Sequence, residues 1–315
     1  MPEGTVLVTG GAGFIGSALC RRLAGKGLKI LCFDNYSSGL RENLGGFTGE
    51  ASVSALEADV TDDTAFAGIG DVERIYHLAC PASPVFYQAD PIATMKTNVL
   101  GAINVLELAR RTGARVLLTS TSEVYGDPLE HPQSESYRGN VNPIGIRACY
   151  DEGKRAAESL FFDYARQYGV DIRVVRIFNT YGPRMRSDDG RVISNFITQA
   201  LGGEDLTVYG DGTQTRSFCY VDDMVDALVA TMECEGFCGP VNLGNPEELT
   251  MLEVARKVIA YTDSSSGIVY RDLPSDDPTR RLPNISLAES TLGWRPRVPF
   301  DEGIRQTIEY YRERM

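Results

Sequence analysis

Short apolar runs bounded by glycine, aspartate or proline recur at residues 5–9, 29–34, 53–59, 74–80, 115–119 and 172–178. Their unbroken apolar character, without in-out alternation, predicts strands of a parallel sheet buried on both faces. Helix-period segments lie between them. One is opened by Asp90 as cap and Pro91 at the first helical position, and it continues through Leu106. Strand-helix alternation of this kind predicts an α/β fold with a doubly wound parallel (Rossmann) sheet. After about Asn179 the pattern changes to loops rich in arginine, glycine and aspartate, followed by a helix from Thr250, where Thr250 and Glu253 can form a capping box. The expected organisation is a cofactor-binding domain over residues 1–179, to which the chain returns near 216–240. Residues 180–315 then form mainly a smaller C-terminal α/β domain for the substrate.

Composition narrows the class without naming a function. Apolar residues make up 43% and charged residues 23% of 315, which excludes disordered, collagen-like and disulfide-scaffold chains. The formal charge of −12 argues against nucleic-acid or anionic-membrane partners, so an anionic ligand needs locally gathered arginines. Seven scattered cysteines, with only Cys234 and Cys238 close together and no histidine near them, predict neither a disulfide framework nor a metal site. No apolar run reaches the ~18 residues of a membrane span, and residues 1–4 leave no room for a signal segment. The expected compartment is the cytoplasm.

The first strand ends in Gly10-Gly11-Ala12-Gly13-Phe14-Ile15-Gly16 and feeds an apolar helix. Glycines there permit a tight turn and close approach of a pyrophosphate to the helix N-terminus, where free amides favour an anion. Asp34 closes the second strand, 21 residues after Gly13, where a carboxylate accepts from an adenosine ribose and repels a 2′-phosphate. NAD is therefore expected rather than NADP. Asp59, ending the third strand, is a candidate for the adenine or simply a turn former. The predicted cofactor contacts are Gly10, Gly13, Phe14, Ile15, Gly16, Asp34, Asn35, Asp59, Val60, Leu78, Tyr150 and Lys154.

Tyr150 and Lys154 are four apart in a helix-compatible stretch and so share one helix face. A free phenol, with a pKa of ~10, is too weakly acidic to be a base at neutral pH; an ammonium and an oxidised nicotinamide nearby would lower it. Such a pair can take a proton from a sugar hydroxyl as hydride leaves its carbon. A Tyr-x-x-x-Lys spacing alone is common on exposed helices. What strengthens it here is Thr119-Ser120-Thr121-Ser122-Glu123-Val124-Tyr125-Gly126, a strand ending in hydroxyls and a carboxylate at the edge where such sheets bind ligands.

With Gly10, Gly13, Gly16, Asp34, Thr121, Tyr150 and Lys154 in place, the chain resembles the extended short-chain dehydrogenase/reductase family of nucleotide-sugar enzymes. Stretches 120–127, 140–155, 178–185 and 214–221 are most similar to the family's branch that decarboxylates nucleotide glucuronates. The resemblance implies that Thr121 accompanies Tyr150 and Lys154 in a catalytic triad and that Ser122 and Glu123 stand near the sugar ring. It implies that Asn179 and Arg184 hold the diphosphate and nucleotide, that Tyr209 and Arg216 lie on the nucleotide side, and that Arg281 contacts substrate. Pro81, Tyr87 and Asn98 would line the nicotinamide and sugar pocket, and Arg191 and Gln214 are further substrate contacts. Two positions depart from the family's pattern: Arg138 stands where tryptophan is common, and Ile146 where proline is.

The implied reaction is NAD-dependent decarboxylation of UDP- or dTDP-glucuronate to the nucleotide pentose through a 4-keto sugar, redox-neutral overall. A 4-epimerase is the alternative, although its relatives usually lack a carboxylate equivalent to Glu123. A 4,6-dehydratase is disfavoured because Ser122 replaces the acid such enzymes use. A regulator that has lost catalysis is disfavoured because Thr121, Tyr150 and Lys154 are all present. A homodimer is also expected, since Ala157, Leu160, Phe161, Tyr164 and Tyr168 form an apolar stripe at helical spacing and the family pairs two such helices per subunit in a four-helix bundle.

Overall fold

A computed structural model describes residues 4–46, 52–273 and 280–315. The nucleotide-binding half runs through β1 (Thr5–Thr9), α1 (Phe14–Gly25), β2 (Lys29–Asp34), β3 (Val53–Glu57), β4 (Val72–His77), α2 (Pro84–Ala89), α3 (Pro91–Thr112), β5 (Arg115–Thr121), α4 (Ala148–Tyr168) and β6 (Ile172–Ile177). Beyond it come β7 (Thr180–Tyr181), α5 (Val192–Leu201), β8 (Leu206–Tyr209), β9 (Thr215–Ser217), β10 (Cys219–Tyr220) and α6 (Val221–Glu233). The chain then passes through β11 (Val241–Leu243), β12 (Glu248–Thr250), α7 (Met251–Thr262), β13 (Ile268–Arg271), β14 (Arg280–Arg281), α8 (Ser286–Leu292) and α9 (Phe300–Arg312).

Seven strands form one sheet in the order β11-β6-β5-β4-β1-β2-β3, and every pairing in it is parallel. The order reverses between β1 and β4, which opens a crevice at their carboxyl ends. Because successive side chains point to opposite faces, the strands feed two cores. Val6, Val8, Leu117 and Val175 pack on one face with Leu19 and Leu23 of α1 and Leu228 of α6. Leu7, Val116, Leu118 and Val174 pack on the other with Val105 and Leu106 of α3 and Phe161 of α4. The first core runs on without a break to Phe196, Trp294 and Ile304, so the C-terminal elements are seated on the sheet by apolar contact.

The strand expectations hold to within three residues at each end, β4 spanning 72–77 rather than 74–80, and β3 departs further in its burial. β3 stops at Glu57 and exposes every residue after Val53, because it is an edge strand that no helix among the described residues packs closely against, whereas α8 covers the buried β11 at the other edge. The cap signals form as read. Asp90 accepts from the Ala93 amide at 2.9 Å, and Thr250 and Glu253 make a reciprocal capping box. Three smaller sheets, β7–β10, β8–β13 and β12–β9–β14, build the opposite wall of the crevice. In the last of these, Arg216 and Arg281 stand side by side in register.

Candidate active site

The crevice is a cavity of about 590 Å³ lined from both halves of the molecule. Its floor is the glycine turn. Gly10 has φ +71°, and a Cβ there would meet the Ala79 backbone at 2.8 Å; a Cβ on Gly16 would sit 2.1 Å from the Gly10 carbonyl. Only glycine lets α1 approach β1 this closely, which aims the helix's unpaired N-terminal amides into the cavity. Asp34 is nearly buried at the cavity edge, where its carboxylate accepts from the Ala12 amide at 2.9 Å and the Tyr36 amide at 2.8 Å. Burial raises its pKa against those two bonds. Phe14, Ile15, Asn35, Val60 and Leu78 also line the cavity. This cradle fits a dinucleotide: a glycine floor, a helix N-terminus and a terminal acceptor.

Asp59 is placed differently. Its carboxylate accepts from the Thr61 amide and hydroxyl at 2.8 and 2.7 Å and from Asn35 Nδ2 at 2.8 Å, and it is not part of the cavity wall. These bonds are those of a turn former, and one of them orients Asn35, which lines the cavity with Ala58 and Val60 on either side of Asp59. Asp34→Ala is expected to weaken NAD binding about tenfold or more and to narrow the preference over NADP, since a charge-assisted acceptor and a repulsive charge leave together. Fluorescence titration with both dinucleotides checks this, and unchanged affinities for both would remove Asp34 from the cofactor site.

Above the glycine turn, β5 delivers Thr119 to Thr121 into the cavity and Ser122 and Glu123 follow at once. α4 brings Tyr150 and Lys154 from the neighbouring wall. The Tyr150 ring stacks on Tyr87, with centroids 5.0 Å apart and planes within 7°, so α2 holds the phenol from behind. Burial, followed by the nearby Cys80 thiol, pushes the Tyr150 hydroxyl well above the ordinary phenol range; a hydrogen bond to Thr121 and the charge of Arg191 act the other way. Lys154 Nζ donates to the Thr119 carbonyl at 3.0 Å, and burial lowers its pKa. The Tyr87 hydroxyl is buried with no partner among the described residues, an unmet polar group facing the pocket.

Glu123 is the electrostatic centre of the far wall. Arg281 lies 3.2 Å from its Oε1 and also donates to Ser122 Oγ at 3.0 Å and to the Gly126 carbonyl at 2.9 Å. Arg147 donates to Glu123 Oε2. Burial alone would raise the carboxyl's pKa, but Arg281, Arg147 and Arg216 together hold it down to about 2. Glu123 is thus a fixed carboxylate with no proton to give at neutral pH. Arg281 itself is fully buried, and its Nε has no partner among the described residues.

Of the other expected substrate residues, Pro81, Tyr87, Asn179, Arg191, Tyr209, Gln214 and Arg216 line the same cavity. Arg191, at the start of α5, pairs with Asp189 at 3.2 Å. The Asp189 carbonyl in turn accepts from Ser83 at 2.6 Å, which ties the two walls together. Arg184 and Asn98 fall outside the lining. Arg184 has φ +72° and lies near Arg21. Asn98 is buried behind Cys80, donating to the Thr94 carbonyl at 3.1 Å and bonding the Cys80 thiol. Ile146 reaches the cavity, whereas Arg138 does not, its carbonyl accepting from Arg155 at 2.9 Å instead.

Arg147, Arg186 and Cys80 are lining residues outside the sequence-based set. Only Arg147 carried a signal, lying one helical turn before Tyr150. Among the described residues no group of three histidine, cysteine or acidic side chains is placed to hold a metal, and no helix is long and apolar enough to cross a membrane.

Comparison with known proteins agrees with this geometry. The chain is 55% identical over 315 residues, all of its own length and 91% of the relative's, to UDP-glucuronic acid decarboxylase 3 of Arabidopsis thaliana. It is 51% identical over 310 residues, 98% of its own length and 72% of the relative's, to UDP-glucuronic acid decarboxylase 1 of Xenopus tropicalis. Among solved structures, UDP-glucose 4-epimerase of Thermotoga maritima with UDP-glucose superposes with a TM-score of 0.90 at 30% identity, covering 98% of this chain and 99% of that one. A dTDP-glucose 4,6-dehydratase of Streptomyces venezuelae with NAD bound does so with a TM-score of 0.90 at 28% identity, covering 98% and 97%. The matching family model spans residues 6–244, and the chain belongs to the NAD dependent epimerase/dehydratase family.

Proposed function

We propose that the protein is an NAD-dependent UDP-glucuronate decarboxylase that releases carbon dioxide and yields the UDP-pentose, UDP-xylose. The observation that carries this reading is Glu123 locked as a carboxylate against Arg281 beside the Tyr150 phenol. The wall offers a buried cation for the sugar's carboxylate, and Glu123, held ionised, is not an acid that could expel a hydroxyl as dehydration requires. Relatives named as UDP-glucuronic acid decarboxylases at 51–55% identity support the same choice, and they favour UDP over dTDP.

NAD supplies the acceptor, and later the donor, of the hydride at carbon 4, so none is consumed. Tyr150, once ionised, takes the proton of the carbon 4 hydroxyl, with the Thr121 hydroxyl bonded to the phenol oxygen. The resulting ketone is β to the carboxylate on carbon 5, and loss of carbon dioxide leaves its electron pair in an enolate. Donors at the carbon 4 oxygen, Tyr150 and Thr121, stabilise that enolate. Glu123 has no proton to give, so carbon 5 is protonated by Tyr150 or water. Lys154, pinned by the Thr119 carbonyl one helical turn from Tyr150, is the ammonium whose charge favours the ionised phenol. Arg281 and Arg191 receive the sugar side of the substrate, and Asn179, Tyr209, Gln214 and Arg216 the nucleotide side, so that residues 180–315 act mainly as the substrate-binding part. Incubation with UDP-glucuronate and identification of the product by mass and NMR tests the assignment: UDP-xylose supports it, and UDP-galacturonate would make the enzyme a 4-epimerase.

The reading includes a cytoplasmic homodimer. Seven unpaired cysteines suit a reducing compartment. Ala157 and Phe161 of the α4 stripe are consumed inside the subunit against α3. Leu100 of α3 and Tyr168 of α4 remain exposed, at 41% and 47%, as the apolar face for a second copy. Light scattering at micromolar protein should give twice the chain's 34.5 kDa; a monomer mass would remove this part of the proposal.

A further inference from the structure

Arg281 presents a difficulty for a site that must bind a carboxylate. Its guanidinium is already engaged by Glu123, with contacts of 3.2 and 3.4 Å. An incoming substrate carboxylate would meet both that competitor and its negative charge. Arg147 resolves the difficulty. It stands immediately before α4, three residues ahead of Tyr150, and donates to Glu123 Oε2, while Arg281 approaches Oε1 more closely than Oε2. Its other flank lies 4.0 Å from Asp151 Oδ2, a buried carboxyl whose Oδ1 has no partner among the described residues.

Glu123 is therefore ion-paired to Arg147 as well as to Arg281, with the charge of Arg216 also acting on it, and Arg281 has an Nε donor with no partner among the described residues. We infer that Arg147 is a positioning residue for substrate selection: it takes up the charge of Glu123 when the sugar carboxylate claims Arg281. This rests on the decarboxylase reading and extends it, because it makes preference for an acid sugar depend on a residue that need not touch the sugar. Without Arg147, Glu123 loses the cation bonded to its Oε2 and leans chiefly on Arg281, with Arg216 acting through its charge, and the substrate must compete for Arg281. The cost should fall on ligands that carry a carboxylate and spare those that do not.

The test is a comparison of two ligands by calorimetry on NAD-loaded protein carrying Tyr150→Phe throughout, so that the acid is bound and not consumed. UDP-glucuronate carries the carboxylate, and UDP-xylose is the same nucleotide with no carboxylate. R147M is expected to weaken UDP-glucuronate about tenfold while leaving UDP-xylose within about twofold, and R147K to restore most of the loss. In an E123Q background, where the charge to be held is gone, adding R147M should cost less than about twofold. Equal weakening of both ligands, or an undiminished loss in the E123Q background, would overturn the inference and leave Arg147 a structural residue. If R147M lowers thermal stability, the E123Q comparison still decides, since a folding defect would persist there. Failure of the underlying reading looks different: wild-type protein would then bind UDP-glucuronate no better than UDP-xylose and release no carbon dioxide.

Discussion

Tyr150→Phe is expected to bind NAD and UDP-glucuronate as the parent does and to turn over about 10³-fold more slowly, the usual range for removing a general base. The substitution deletes one oxygen and keeps the ring, so the stack on Tyr87 at 5.0 Å survives and the wall keeps its shape. Burial holds the proton on the phenol, and the reaction needs it off. Wild-type kcat/KM should therefore rise with pH through neutrality, because the required form is the deprotonated one. The residual activity of Tyr150→Phe should lose that slope. Steady-state rates across pH 6–9, with binding checked by calorimetry, give both readouts. Turnover within tenfold of wild type would mean that another group accepts the proton.

Arg281→Met should be nearly as damaging for a different reason. The guanidinium serves Glu123, Ser122 and the Gly126 carbonyl at once from a fully buried position. In the proposed mechanism it also carries the substrate's carboxylate. Truncating one side of a buried charge pair typically costs about 2–5 kcal/mol, which corresponds to a fall of at least ~30-fold in kcat/KM. The loss should appear mainly in KM, with UDP-xylose affected far less than UDP-glucuronate. Circular dichroism and NAD occupancy separate this from unfolding. A variant that handles UDP-glucuronate normally would place the carboxylate elsewhere in the cavity.

How much of this was readable from the chain depends on how local each signal is. Strands 5–9 and 29–34 are found at their observed bounds because continuous apolar runs between turn residues are a local signal. Gly16, Asp90 and the Thr250–Glu253 box are equally local, each solving a backbone problem within a few residues, whereas Gly10 answers both to its own φ of +71° and to the distant Ala79 backbone. β3 misled because burial is a property of the sheet's order: an apolar run at an edge looks like one at the centre until its neighbours are known. Tyr150 and Lys154 were legible as a helical pair. That Lys154 answers to the Thr119 carbonyl, 35 residues away, was not. The Arg216–Arg281 pairing arises from strands 65 positions apart, and Arg147 acquires its meaning only when Glu123 is folded against it. Arg184 and Asn98 show the reverse case, motif positions that are not among the residues lining the cavity, Asn98 bonding the lining Cys80 from behind.

The central claim is that carbon 6 leaves the sugar while the cofactor returns to its starting state. UDP-glucuronate labelled with carbon-13 at carbon 6, incubated with NAD-loaded protein in deuterium oxide, tests it in one reaction. The expected result is labelled carbon dioxide in equal amount to unlabelled UDP-xylose, deuterium at carbon 5 of the pentose, and no net NADH. Retention of the label in a UDP-hexuronate, with the protein folded and the cofactor bound, would contradict the decarboxylase assignment.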